Sequence, residues 1–122
     1  MIVERNMNIK LKRVYDDRGE AEGYRVLVDR VWPRGISKET LRLDEWLRDL
    51  APTTGLRKWF GHDPSRWESF RLQYLDELEA RHDELKRLQT IAKKRPLILL
   101  YGARDEEHNQ AVVIREALQS NL

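Results

Sequence analysis

The first regular pattern in the chain is an alternation of side chains over residues 8–15. Ile9, Leu11, Arg13 and Tyr15 alternate with Lys10, Lys12 and Val14. A period of two with charges on one face is typical of a strand at the edge of a sheet. We therefore predict an edge strand over Asn8–Tyr15. Residues 1–6 are interpreted as an N-terminal extension, and residues 7–122 as a single α/β domain.

Two later segments are apolar on both faces. Tyr24–Trp32 carries Val26-Leu27-Val28 at its centre, and Leu97–Tyr101 reads Leu-Ile-Leu-Leu-Tyr after a proline. Strands buried on both faces occur mainly in parallel sheets that are covered by helices. The sequence thus predicts a small, mostly parallel sheet flanked by helices, in which these two strands are adjacent. The link between the first two strands is too short for a crossover helix, so a parallel pair and a hairpin both stay open.

Helical patterns fill the space between the two apolar strands and follow the second one. The pattern that begins at Asp63 would continue to Lys94 as one helix about 45 Å long, at ~1.5 Å per residue. This exceeds the diameter of a compact domain of this size, so we expect the helix to break near Arg81–Asp83. N-cap residues and apolar spacing predict the following helices: a short one capped by Asp44 and stopped by Pro52, one capped by Thr53 or Thr54, a long one with Asp63 as N-cap and Pro64 at its first position, and a last one over Glu107–Leu118.

Composition narrows the class of protein. The chain has 122 residues, a net charge of +2 and no cysteine. Thiolate catalysis, disulfides and cysteine-ligated metals are therefore excluded, and a near-neutral charge is not typical of nucleic-acid binding. The N-terminus lacks the apolar region of a signal peptide, and no apolar run is long enough to span a bilayer. We expect a cytoplasmic protein with no membrane association, no cofactor and no metal.

Arginines lie in the segments that follow two neighbouring strands of the predicted sheet. One exit reads Asp29-Arg30-Val31-Trp32-Pro33-Arg34-Gly35 and the other Tyr101-Gly102-Ala103-Arg104-Asp105. Parallel strands place their carboxyl ends at one edge, where open α/β sheets bind ligands. A helix N-terminus follows there, and its N–H groups favour an anion.

These exits supply the candidate site residues. Guanidinium groups bind carboxylate and phosphate in a bidentate manner, so Arg30, Arg34 and Arg104 predict a small anionic ligand, with Arg57 as a further contact. Asp29 is the candidate base or nucleophile, and His108, which titrates near neutral pH, is the candidate proton donor. Asn109 would help orient the ligand. The competing interpretation is that Asp29 and the arginines simply pair with one another or with Asp44 as surface charges.

Several strings resemble one known family. The segment Tyr24–Gly35, with its specific string Asp29-Arg30-Val31-Trp32-Pro33-Arg34-Gly35, is similar to the signature of the YeaO-like branch of domain-of-unknown-function family 488. The likeness continues through the following strings: Leu43-Asp44-Glu45-Trp46, Ala51-Pro52-Thr53, Leu56–His62, Leu99–Asp105 and His108-Asn109-Gln110-Ala111. The resemblance implies a small α/β fold and no established activity. Longer members have a Cys-His-Arg run near the final helix, where this chain has His108-Asn109-Gln110, so a cysteine mechanism cannot carry over.

Three functions compete at this point. The first is an enzyme or binding domain for a small ligand that carries a phosphate or carboxylate. The second is a nucleic-acid-associated or regulatory module that uses the basic edge strand with Lys10, Lys12 and Arg13. The third is a protein-interaction domain without a ligand. A closed arginine cleft favours the first function, and a continuous basic surface favours the second.

Overall fold

Two buried parallel strands form the centre of the molecule. The computed structural model describes residues 7–17, 19 and 21–120, so the predicted extension over residues 1–6 lies outside the described residues. Strand β2 (Tyr24–Leu27) pairs in parallel with β4 (Leu97–Tyr101), and Val26 lies opposite Leu99. Every side chain of β4 is buried. The prediction of two adjacent parallel strands, apolar on both faces, is confirmed.

Two further strands flank this pair. Strand β1 (Ile9–Arg13) runs parallel to β4, with Ile9 opposite Leu97. The two-residue strand β3 (Glu45–Trp46) runs parallel to β2 on its other side. The sheet therefore has the order β1-β4-β2-β3. The first strand is an edge strand, as its alternation predicted. The first two strands form neither a hairpin nor a parallel pair with each other, because β4 lies between them and pairs in parallel with both.

Several predicted elements differ from the observed ones, and the first strand spans Ile9–Arg13 instead of Asn8–Tyr15. The segment after Asp44 is β3 followed by a 3₁₀ turn over Arg48–Leu50, not a helix. Its local pattern is overridden because Asp44 accepts a hydrogen bond from the Arg25 backbone N–H at 2.8 Å, which aligns the segment with β2. The second strand ends at Leu27, not Trp32, and the last helix begins at residue 110, not 107.

Five helices complete the described part of the chain. Helix α1 (Lys38–Leu41) was not predicted, and the Ser37 side chain caps it. The predicted caps Thr53 and Asp63 are confirmed, the latter at a 3₁₀ turn with Pro64 in first position. The remaining helices are α2 (Thr54–Phe60), α3 (Trp67–Glu79), α4 (His82–Lys94) and α5 (Gln110–Gln119). The chain breaks between α3 and α4 at residues 80–81, next to the predicted point.

The sheet is covered very unequally on its two faces. Helices α2 to α5 pack together with one set of alternating strand residues into the larger core, which includes the α3 stripe Phe70, Tyr74 and Leu78. The opposite face carries Leu27, Ile98 and Leu100, covered by Leu41 of α1 and by residues of the connecting loops. Helices α2 to α5 thus cover one face of the sheet, and α1 with the loops covers the other.

Among the described residues, each helix is too short or too polar to span a bilayer.

A buried arginine connects the sheet to the loop and the short helix that cover its thinly covered face. The Arg25 side chain points into that face and is only 5% exposed. Its guanidinium donates to the carbonyl oxygens of Ala21, Leu41 and Arg42 and forms an ion pair of 3.0 Å with Asp17. One side chain therefore ties the loop before β2 and the end of α1 to the sheet.

Candidate functional site at the carboxyl edge of the sheet

A pocket opens where β1, β2 and β4 end. Its volume is about 250 Å³. Parallel strands bring their exits together at this edge, as the sequence predicted. The polar and glycine lining residues are Tyr15, Asp29, Arg30, Arg57, His62, Gly102, His108, Asn109 and Gln110, and the rest of the lining is Val31, Pro33, Ala51, Pro52, Phe60, Phe70 and Ala103.

The pocket collects most of the predicted site residues, but not all of them. Asp29, Arg30, Arg57, His108 and Asn109 line it. Arg34 and Arg104 are exposed and are not part of the lining. The backbone of Arg34 still borders the region, because its carbonyl oxygen accepts a hydrogen bond of 2.9 Å from the Tyr15 hydroxyl. Two of the four predicted arginines therefore share this pocket.

Asp29 joins the ends of β2 and β4. One carboxylate oxygen accepts a hydrogen bond of 2.9 Å from the Gly102 backbone N–H, and the other accepts from the Gln110 side-chain amide. The Asp29 carbonyl oxygen in turn accepts from the Trp46 indole at 2.7 Å. Burial raises the pKa of the Asp29 carboxyl to about 6, although both donors and the charge of Arg57 act to lower it. An acid that titrates so close to neutral pH is typical of functional sites.

The two arginines of the pocket are held very differently. The Arg30 guanidinium donates to the carbonyl oxygens of Ala51 and Pro52 at 3.2 and 3.0 Å and lies 3.9 Å from Asp49. It is therefore committed to shaping the wall of the pocket. The exposed guanidinium of Arg57 makes no hydrogen bond or ion pair within the described part of the chain, and only its charge reaches Asp29. Arg57 is thus available to a ligand.

The first turn of α5 closes one side of the pocket. Asn109 is buried as its N-cap, and its side-chain oxygen accepts from the backbone N–H groups of Ala111 and Val112. His108 is oriented by Asp105, which lies 2.8 Å from its Nδ1 atom, and by the Trp67 ring, which it meets edge-on at 5.1 Å. Because Asn109 already satisfies two helix N–H groups, the end of α5 supplies less anion binding than its position suggests.

Sequence reasoning missed several lining residues. Gln110 belongs to one of the strings that carry the family resemblance, but its contact with Asp29 depends on where α5 begins. Tyr15 enters the pocket because β1 is parallel to β4, a pairing that the pattern left open. His62 lines the pocket at a left-handed backbone position with φ 57°. A parallel assignment of β1 would have pointed to Tyr15. His62 ends one of the strings that carry the family resemblance, but that string does not indicate the backbone conformation that brings it to the pocket.

The described residues contain no group of three or more His, Cys, Asp or Glu side chains that could hold a metal ion. The protonatable groups of the pocket are instead spread around its wall. Asp29 lies at the end of β2, His62 follows α2, and His108 precedes α5. What the pocket brings together is one half-buried acid, one uncommitted guanidinium and several apolar side chains.

Comparison with known proteins gives a family but no activity. A family profile described as the inactive DUF488-N3 subclade matches residues 8–122. The uncharacterized protein YeaO of Escherichia coli strain K12 is 51% identical over 114 residues, which cover 93% of this chain and 99% of that protein. The uncharacterized protein Rv3073c of Mycobacterium tuberculosis is 34% identical over 116 residues, covering 93% and 96% respectively. No solved structure matches the chain significantly.

Proposed function

Because this chain belongs to the inactive DUF488-N3 subclade, we propose that it binds a small ligand bearing a carboxylate or phosphate in the rim pocket and does not transform it. The observation that carries the proposal is the Arg57 guanidinium, which lines the pocket without a hydrogen bond or ion pair in the described part of the chain. A guanidinium binds such anions with two parallel hydrogen bonds. The carboxyl ends of parallel strands are also the usual place for a ligand in this class of fold.

Two features favour binding over catalysis. Both oxygens of Asp29 already accept hydrogen bonds from Gly102 and Gln110, which suits a fixed recognition group better than a base that must reach a substrate proton. In addition, no cysteine exists in the chain to act as a nucleophile. The description of the subclade as inactive supports the same reading. We therefore propose that Asp29 and His108 line the binding pocket without a catalytic role.

The alternative of a nucleic-acid module has weaker support. Lys10 and Lys12 are exposed on the edge strand β1. Arg13, however, donates to the Ala103 carbonyl oxygen at 3.0 Å and lies 3.8 Å from Asp16. The basic stripe on this strand is thereby reduced to two lysines, which is small for binding a phosphate backbone.

The proposal is tested by the effect of anions on thermal stability. Phosphate, sulfate and acetate should raise the Tm more than chloride does at matched ionic strength, because a ligand that binds the native state stabilises it. Arg57→Gln should abolish this difference. Lys58→Gln is the matched control, since it removes the same charge from the neighbouring exposed position of α2 and should keep the difference. Equal responses of the two variants, or no difference among the anions for the unmodified protein, would contradict the proposal.

A further inference from the structure

Two opposite charges line the pocket without pairing with each other. Asp29 and Arg57 both belong to the lining, and Arg57 acts on Asp29 only through its charge, with no ion pair between them. Each therefore has capacity for a further partner. A ligand that lies between them would meet a carboxylate on one side and a guanidinium on the other.

The carboxylate of Asp29 has unused acceptor positions. An ionised carboxylate can accept about four hydrogen bonds, and Asp29 accepts one on each oxygen. Both donors, Gly102 and Gln110, are neutral, so no cation of the described residues compensates the charge by direct contact. A half-buried charge without a contacting cation is unfavourable, and a positively charged ligand nitrogen would supply that compensation.

The second arginine of the pocket does not fill this need. The Arg30 guanidinium donates hydrogen bonds to the carbonyl oxygens of Ala51 and Pro52 and forms an ion pair with Asp49. The lining also includes the small or aliphatic residues Val31, Pro33 and Ala103. A short aliphatic segment fits such a lining, and the volume of about 250 Å³ suits a molecule the size of an amino acid.

We propose that the ligand of this pocket is a small zwitterion, with a protonated amine on Asp29 and a carboxylate or phosphate on Arg57. The inference rests on the proposed function of the same pocket and adds the second charge of the ligand. Free amino acids, β-alanine, γ-aminobutyrate and phosphoethanolamine represent this class with different spacings between the two charges. Simple anions lack the group that would satisfy Asp29.

Calorimetric titration of the full chain with these compounds tests the inference. At least one zwitterion should bind, and its deaminated and decarboxylated analogues should each bind at least about tenfold more weakly, because either one leaves a charged group of the site unpaired. Asp29→Asn should lower the affinity for the zwitterion to that of the deaminated analogue. Lys58→Gln should leave all affinities unchanged. The comparison of analogues needs no variant, so it stands even where Asp29→Asn fails to fold.

The outcomes separate this inference from the proposed function. If phosphate or acetate binds in an Arg57-dependent way and no zwitterion binds more tightly, the zwitterion inference is wrong and anion binding stands. If a deaminated analogue binds as tightly as its zwitterion, the role of Asp29 is likewise refuted. If neither anions nor zwitterions bind, both proposals fail.

Discussion

The Gly102 backbone N–H donates a hydrogen bond of 2.9 Å to the carboxylate of Asp29, 73 residues earlier in the chain. The contact joins the ends of the two central strands and sets the floor of the pocket. It also explains the glycine, because a Cβ atom at position 102 would lie 2.8 Å from the Asp29 Oδ2 atom. Carbon and oxygen do not approach so closely, so any larger residue must displace the carboxylate.

Gly102→Ala should therefore weaken both the fold and the site. Moving the Asp29 carboxylate disturbs its hydrogen bonds, and we expect a loss of about 1–3 kcal/mol in the free energy of unfolding. Gly55→Ala in α2 is the control, because a Cβ there meets nothing within 4 Å and the helix favours alanine by up to ~1 kcal/mol. Urea unfolding of both variants measures the difference. If Gly102→Ala and Gly55→Ala have equal free energies of unfolding, the Asp29 carboxylate moves away from the added Cβ atom without a loss of stability.

The central strands could be predicted from the sequence because nearly all of their residues are apolar. Val26 to Val28 and Leu97 to Leu100 are apolar on both faces, and few arrangements other than neighbouring parallel strands bury such segments. The common edge at which Asp29 and Gly102 meet follows from that pairing. This is why the location of the candidate site was predicted before its geometry was known.

The rest depended on contacts between distant segments. Glu45–Trp46 forms a strand because Arg25 and Leu27 of β2 provide backbone partners, which the helix-like local pattern does not show. Likewise, Arg30 and Arg34 leave the same strand, but only Arg30 turns toward the Ala51–Pro52 backbone and lines the pocket. The path of a loop decides which of several arginines enters a site, and the order of residues alone does not determine that path.

Arg25 gives the second prediction, since it is the charged residue on which the thinly covered face depends. Arg25→Met should lower the free energy of unfolding by about 3–5 kcal/mol, because the substitution withdraws a buried guanidinium from the buried Asp17 carboxylate and from the Leu41 carbonyl oxygen. Denaturant unfolding monitored by tryptophan fluorescence measures this loss, since Trp32 and Trp46 pack on this face.

A second arginine serves as the control for that experiment. Arg48 is exposed and lies over the Trp46 ring at 3.9 Å, a contact worth about 0.5–1 kcal/mol at an exposed site. Arg48→Met should therefore cost no more than about 1 kcal/mol. If the two variants lose similar stability, Arg25 is not the fastening residue that its hydrogen bonds indicate.

The last prediction concerns the protonation of Asp29. Burial raises the pKa of its carboxyl to about 6, whereas the same group in the unfolded chain has a pKa of about 4. Between these two values the folded protein binds more protons than the unfolded chain, so the contribution of Asp29 to the free energy of unfolding falls as the pH rises. Asn at this position binds no proton and has no such dependence. The stability of Asp29→Asn relative to the unmodified protein should therefore increase from about pH 4 to about pH 7, by on the order of 2–3 kcal/mol.

Urea unfolding of both proteins across this range measures the effect as a difference. Glu45, Asp63 and Asp105 have lowered pKa values, held down chiefly by Arg87, by Ser65 and by the backbone N–H of Glu107, respectively. Their contributions to stability run in the opposite direction and are lost as the pH falls, but they are present in both proteins and cancel in the difference. A difference that stays flat would mean that the carboxyl of Asp29 titrates at its ordinary pKa in the folded protein. A difference that falls with rising pH would mean that a nearby cation stabilises the ionised carboxyl of Asp29 in the folded protein and lowers its pKa. Arg57 would be the first side chain to examine, because its charge already acts on Asp29.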